Sequence, residues 1–379
     1  MDRLSAFLGL PYTDTVVVAG ALVLGISAGV LGSFAVLRGR SLVGDAIAHA
    51  TLPGVCVAFL VTGTKEIAGL LAGAAVAGLV AALLMVAVER SVLRADTAIG
   101  VVLSGFFSLG IVLLTHITAT GDAQQAGLEA FLFGQAAGLL ERDVAVMGLL
   151  GAVGLLAVLL LRRMLVTTLF DRAYAGAIGA PTRLVEVAVT AFLVAAVVIG
   201  VRLVGAILMV AMLAVPTVVA RQLADSFGRV LVLAGIVGAV VGVAGALLAT
   251  RAQLPTGPVV VLVGVAVAVL AVLLAPRRGV LARRARLTRR RRRMERDRLL
   301  LAGGTSRRLV RANLMTPDGV LTVAGERARR EAQDRDELWR AWLRYGPQIR
   351  LRDAREPDLH DLRRTLAPEA LAELERLAR

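Results

Sequence analysis

Nine stretches of this chain are each long enough, and sufficiently free of charge, to cross about 30 Å of hydrocarbon. They fall at residues 15–37, 42–62, 67–88, 98–117, 144–161, 184–200, 203–220, 230–250 and 256–275. Inside a bilayer the backbone has no water to bond to and must satisfy its own N–H and C=O groups, so such runs fold as helices. Their abundant Gly and Ala residues suit helices that pack closely in lipid. The expected fold class is therefore all-α, a polytopic membrane protein with about nine (eight to nine) transmembrane helices. One segment complicates the count: "GLEAFLFGQAAGLL" (127–140) reads as a partial or re-entrant helix. Composition agrees, with 57% of the 379 residues hydrophobic and a mean hydropathy of +0.77.

Charge organises the rest. The apolar part ends near Leu274, and an Arg-rich stretch follows that includes the run Arg289 to Arg293. This divides the chain into a membrane domain (1–276), a basic juxtamembrane linker (277–298) and a cytoplasmic tail (299–379). Lys65 is the sole lysine, so nearly all of the 43 cations are arginines. Arg38/Arg40, Glu89/Arg90/Arg94, Arg162/Arg163/Arg172/Arg183, Arg221/Arg229 and Arg277/Arg278 fall on alternate connections. By the positive-inside rule that side is the cytoplasm, with the N-terminus outside and the C-terminus inside. The first residues carry neither a strong basic region nor a small-residue cleavage site, so the first span is expected to stay in the protein. The net charge of +15 fits membrane lipids better than nucleic acid, because basic clusters beside spans meet anionic headgroups. Cys56 is the only cysteine, which excludes a disulfide framework and a thiolate metal cluster.

Within "SLVGDAIAHA" (41–50), Asp45 and His49 lie one helical turn apart on one face. An aspartate in the bilayer costs roughly 2.5–3.5 kcal/mol on the insertion scale, so such residues face a bundle interior or a polar pathway. Three readings are open: a structural hydrogen-bonded pair, a proton relay, or a cation site of carboxylate and imidazole suited to Mn²⁺, Zn²⁺ or Fe²⁺. One helix supplies only two ligands. Two copies of the chain around a pore would supply four, which points to a homodimer. His116, Asp122 and Glu129 lie on or near an outer connection and are candidates for a cation entrance, whereas His360 lies far off in the tail.

The connection "LFDRAYAGAIGAPTR" (169–183) starts with Asp171 and stops at Gly-Ala-Pro, which predicts a short helix between two spans. It is either a plain connector or a docking helix for a cytoplasmic partner. A P-loop needs G-x-x-x-x-G-K-[ST]. The lone Lys65 follows a threonine and precedes a glutamate, so the motif is absent and ATP chemistry would need another chain.

Several stretches together resemble one family. They are "LRGRSLVGDAIAHATLPGVCVAF" (37–59), "DTAIGVVLSGFFSLGIVLL" (96–114), "FLFGQAAGL" (131–139), "FDRAYAGAIGAP" (170–181) and "VGAILMVAMLAVPTVVAR" (204–221). In this order they resemble the permease subunits of the manganese/zinc/iron family of ABC importers. The resemblance implies a fold like the cobalamin-importer type of ABC permease, two permease copies, a cytoplasmic ABC ATPase and an extracytoplasmic metal-binding protein. It also implies a non-enzymatic subunit of the inner membrane that holds no permanent cofactor and passes a divalent metal. Asp45 and His49 match the family's metal-pathway residues. Phe170, Asp171, Ala175 and Gly179 match the segment that couples to the ATPase. An ATP-independent channel or a proton-coupled transporter, with Asp45 and His49 as a relay, is the competing expectation.

The tail resembles a different family. "LMTPDGVLTVAGERARREAQDRDELWRAWL" (314–343) is similar to the junction between winged helix and metal site in regulators of the diphtheria toxin repressor type. A small, mostly helical, winged-helix-like tail is expected, with its helix-turn-helix portion (about 299–312) shortened. Asp336 stands where that family has His and Arg340 where it has Glu, so two of the ligands a divalent cation requires are altered.

Overall fold

The computed structural model describes residues 11–37, 42–64, 66–89, 95–119, 134, 138–276, 279–303, 306–346, 349 and 362–378. It divides into two compact units, Met1–Ala282 and Arg283–Arg379.

The first unit is a helical bundle: α1 (Tyr12–Leu37), α2 (Val43–Thr62), α3 (Ile67–Glu89), α4 (Ala95–Ala119), α5 (Glu141–Leu160), α6 (Arg162–Phe170), α7 (Arg172–Ala177), α8 (Thr182–Val204), α9 (Ala206–Leu223), α10 (Phe227–Ala252) and α11 (Thr256–Leu274). Among the described residues, helices thus occupy all nine stretches expected to span, and seven of them are long and apolar enough to cross a membrane. The other two, α8 and α9, carry shorter apolar segments, Val187–Val201 and Met209–Leu223. At 1.5 Å per residue, a 15-residue run reaches only about 22 Å. Gly205 alone joins these two helices at φ +90. Met209 lies against Gly200 across that joint, so the chain doubles back. The expected partial helix at 127–140 falls mostly outside the described residues.

Residues without side chains set the packing. α1 crosses α10 where a Cβ on Gly25 or Gly29 would run into the α10 backbone at Gly238 or Ala234. Gly238 and Gly242 meet α1 in the same way. Backbones that approach this closely gain dispersion contact, which drives helix association in lipid where the hydrophobic effect does not. Leu24 and Ala28 of α1 are fully buried at the centre of the bundle. A buried polar clip adds direction: Ser33 on α1 donates to its own Gly29 carbonyl at 2.7 Å and shares a 2.9 Å hydrogen bond with Thr217 on α9.

The second unit contains most of α12 (Val280–Ala302), then α13 (Arg307–Arg311), α14 (Val323–Tyr345), α15 (Leu362–Thr365) and α16 (Pro368–Ala378). Leu300, Leu309 and Met315 form one small core, and an antiparallel bridge pairs Met315 with Leu321. Leu338, Leu362, Leu366 and Leu374 form another. Asp297 is held by both Nε and Nη2 of Arg335, at 3.2 and 2.9 Å. Most of the stretch read from sequence as a linker, 277–298, is continuous helix in α12, because neither Gly nor Pro interrupts 280–302 and arginine is a strong helix former.

Candidate functional site

Asp45 sits in the first turn of α2, where the positive end of the helix macrodipole stabilises a carboxylate. His49 follows one turn later. Its Nε2 lies 3.4 Å from Asp45 Oδ1. That separation is long for a charge-assisted N–H···O⁻ bond, which prefers about 2.7–2.9 Å. It equals the spacing, roughly 3.4 Å, of a nitrogen and an oxygen bound to one tetrahedral ion at about 2.0–2.1 Å each. The two side chains are 24% and 15% exposed, so the pair reaches a surface of the bundle and is not sealed inside it.

Three contacts hold the pair in place. Gly44 lies against Leu213 of α9, which docks the start of α2. Pro53 has no N–H to give to the carbonyl four residues earlier, that of His49, and so loosens the helix there. On the far side, Gly110 of α4 packs on Leu52 and Pro53; a Cβ there would lie 2.8 Å from Leu52 and 3.0 Å from Pro53. That close approach brings Phe107, one turn earlier on α4, edge-on to the His49 ring, with centroids 4.9 Å apart and planes at 78°. His49 Nδ1 is buried without a hydrogen-bond partner among the described residues. Phe107 was not singled out from sequence. Nothing in its local pattern announces a contact that a glycine three residues away creates.

No group of three or more His, Cys, Asp or Glu residues gathers among the described residues. One chain therefore offers the pair and no third ligand of these types there. His116 is exposed in the last turn of α4, nine residues beyond Phe107, or about 13 Å along the helix. It does not join the pair. Asp122, Glu129 and His360 lie outside the described residues. In the tail, Asp336 and Arg340 pair with each other at 2.7 Å.

Between α5 and α8 lie two short helices: α7, the one expected within 169–183, and α6 ahead of it. Asp171 breaks them and caps the second, its Oδ1 accepting the Tyr174 N–H at 2.8 Å. At the other end Gly179 takes φ +74. The Ala180 N–H bonds the Ala175 carbonyl at 2.9 Å, and the Gly179 N–H bonds Gly176 at 3.1 Å. This is a Schellman stop, which requires the left-handed conformation glycine adopts freely. Of the four residues matched to the coupling segment, Asp171 and Gly179 thus set its ends, and Ala175 is fully buried beneath it. Phe170 closes α6. Tyr174 and Ile178, which sequence reasoning passed over, stand exposed one turn apart on the outer face.

Residues 11–275 match the ABC 3 transport family. The chain is 44% identical over 238 residues to the manganese transport system membrane protein MntC of Bacillus subtilis, covering 62% of this chain and 55% of the relative, so the match spans about half that protein's length. It is 46% identical over 231 residues to the zinc transport system membrane protein TroC of Treponema pallidum, covering 60% of this chain and 77% of that one. The chelated iron transport system membrane protein YfeD of Yersinia pestis is 34% identical over 61% of this chain and 74% of its own. Among solved structures, PsaBC from Streptococcus pneumoniae, in complex with Fab, superposes with a TM-score of 0.65 at 30% identity, covering 76% of this chain and 99% of that chain. An inward-facing metal-chelate-type ABC transporter shares the fold at 16% identity, with a TM-score of 0.53 over 67% of this chain and 84% of that chain. A multi-pass helical bundle, matched over its whole membrane unit, makes this chain a member of the ABC 3 transport family.

Proposed function

We propose that this chain is the membrane permease subunit of an ATP-driven importer of a divalent transition metal, manganese, zinc or iron, in the inner membrane. The observation that carries this reading is the 3.4 Å spacing of His49 Nε2 and Asp45 Oδ1 on a part-open face of the bundle. The relatives' names supply the same three metals. A neutral imidazole and a carboxylate suit all three ions, so selection among them belongs to the extracytoplasmic protein that delivers the metal. Two ligands per chain hold an ion weakly enough to let it go, as conduction requires. A second copy, set against the same face, brings the count to four.

Energy comes from a separate ABC ATPase, because the sequence has no P-loop lysine. Its docking point is α7, with Tyr174 and Ile178 outward and Ala175 as the buried base. The charge pattern of the connections supports a cytoplasmic α7, with the N-terminus outside and the C-terminus inside. The reading needs no resident cofactor and no chemistry on the permease itself.

The test is reconstitution in liposomes with and without the cognate ATPase. Metal entry that needs both the ATPase and ATP is the expected result. Metal that flows down its gradient without them would establish the channel reading. Flow that follows a proton gradient would make Asp45 and His49 a relay.

A further inference from the structure

A groove of about 730 Å³ opens between α1, α5 and α10 at the end of the bundle that carries Arg162 and Arg229. Its floor is apolar, formed by Val30, Leu155, Leu159 and Val232. Leu159 is 67% exposed and Val232 63%, so the floor continues onto the outer, lipid-facing side of the bundle. Its mouth is polar and cationic. Gly228 has no side chain, and a Cβ there would lie 3.1 Å from Arg162 Nη2, so the first turn of α10 seats that guanidinium beside Arg229. Arg229 Nε donates to Ser226 Oγ at 2.8 Å. Among the described residues, neither arginine is paired with a carboxylate, and neighbouring Asp225 has an interaction of its own. The first-turn N–H groups of α10 have no acceptor within their helix and add partial positive charge at the same end.

We propose that this groove binds an anionic phospholipid, its phosphate between Arg162 and Arg229 and one acyl chain along Leu155, Leu159 and Val232. Guanidinium groups match phosphate oxygens in forked, bidentate geometry. Basic pockets between spanning helices hold anionic headgroups. A soluble anion would leave the apolar floor uncovered. A second copy meeting this face about a two-fold axis would bring like charges together. The leaflet, cytoplasmic, rests on the orientation proposed above; the binding does not.

The experiment is native mass spectrometry of the full chain released from phosphatidylcholine nanodiscs titrated with phosphatidylglycerol. The wild type retains phosphatidylglycerol in preference to phosphatidylcholine. Arg162→Ala with Arg229→Ala lowers apparent affinity roughly thirty-fold, as expected for two arginines at a membrane surface. Arg162→Lys with Arg229→Lys keeps the preference, which separates lost charge from lost fold. Val232→Ser, which leaves both arginines in place and adds no charge, weakens retention through the floor alone. Equal retention of both lipids by the wild type, or unchanged retention by the double alanine variant, would overturn the proposal. So would displacement of the lipid by millimolar inorganic phosphate, which would reduce the mouth to a simple anion site.

Discussion

Gly110→Val tests whether the contact between α2 and α4 is what aims His49. In the wild type the missing side chain lets α4 settle on Leu52 and Pro53, and an added Cβ would sit 2.8 and 3.0 Å from them. Ordinary carbon contacts need about 3.5–4.0 Å. Leu52 is 1% exposed and Pro53 is a ring locked within its helix, so neither can yield. α4 must therefore move outward by roughly half an ångström or more. Overpacking of this kind costs about 1–3 kcal/mol, and the loosened Phe107–His49 contact forfeits about 0.5–1.5 kcal/mol more. A loss of about 2 kcal/mol lowers the apparent Tm of a body this size by roughly 4–8 °C. Metal transport per permease falls as well, by up to about tenfold if the whole aromatic contact is lost. The assay is thermal unfolding of the purified chain beside metal uptake at equal expression. Gly105→Ala on the same helix is the control: a Cβ there meets nothing within 4 Å, and alanine is the better helix former by about 0.5–1 kcal/mol, so its Tm does not fall. Wild-type Tm and uptake in Gly110→Val would refute the reasoning.

Two further perturbations follow from the same geometry. Ser33→Ala removes the clip to Thr217 and lowers stability by about 0.6–1 kcal/mol, the usual worth of a hydrogen bond between membrane helices; thermal unfolding reads it, and an unchanged Tm would show the clip to be idle. Asp171→Ala removes the cap of α7 at a local cost of about 1 kcal/mol, and Gly179→Val forces a side chain into φ +74 at a cost of roughly 1–2 kcal/mol. Each should depress ATP-driven uptake while leaving metal binding to the purified permease intact, as titration calorimetry would measure; a parallel loss of binding would place the segment in the metal pathway instead.

How much of this was legible in the sequence depends on the range of the forces involved. Seven of the nine apolar helices were readable because bilayer thickness sets a run length that hydropathy displays directly; α8 and α9 showed only as shorter apolar runs. Asp45 and His49 were readable because helical spacing is local and charge in lipid is costly. The start of α7 at Asp171 and its stop at Gly179 were both visible, as a capping residue and as Gly-Ala-Pro, whereas the separate helix α6 before them was not. Phe107 could not be found, since its partner lies 58 residues away and is chosen by Gly110 against Leu52 and Pro53. The lipid groove was equally hidden: Arg162 and Arg229 read as ordinary positive-inside charge until three helices bring them around one apolar floor. In the tail, the Asp336–Arg340 ion pair was legible for the same local reason, since helical spacing sets residues four apart side by side.

The central claim is that one carboxylate and one imidazole on α2 carry the ion. Elemental analysis tests it most directly, in cells depleted of their own importers that express this permease with the ABC ATPase and metal-binding protein proposed to serve it. Wild type, Asp45→Asn and His49→Ala are compared at equal membrane expression. The account predicts that the wild type accumulates one divalent transition metal and that both variants lose that accumulation while the complex still assembles. Normal accumulation in both variants would contradict it, and would leave the pair as helix packing with the pathway elsewhere.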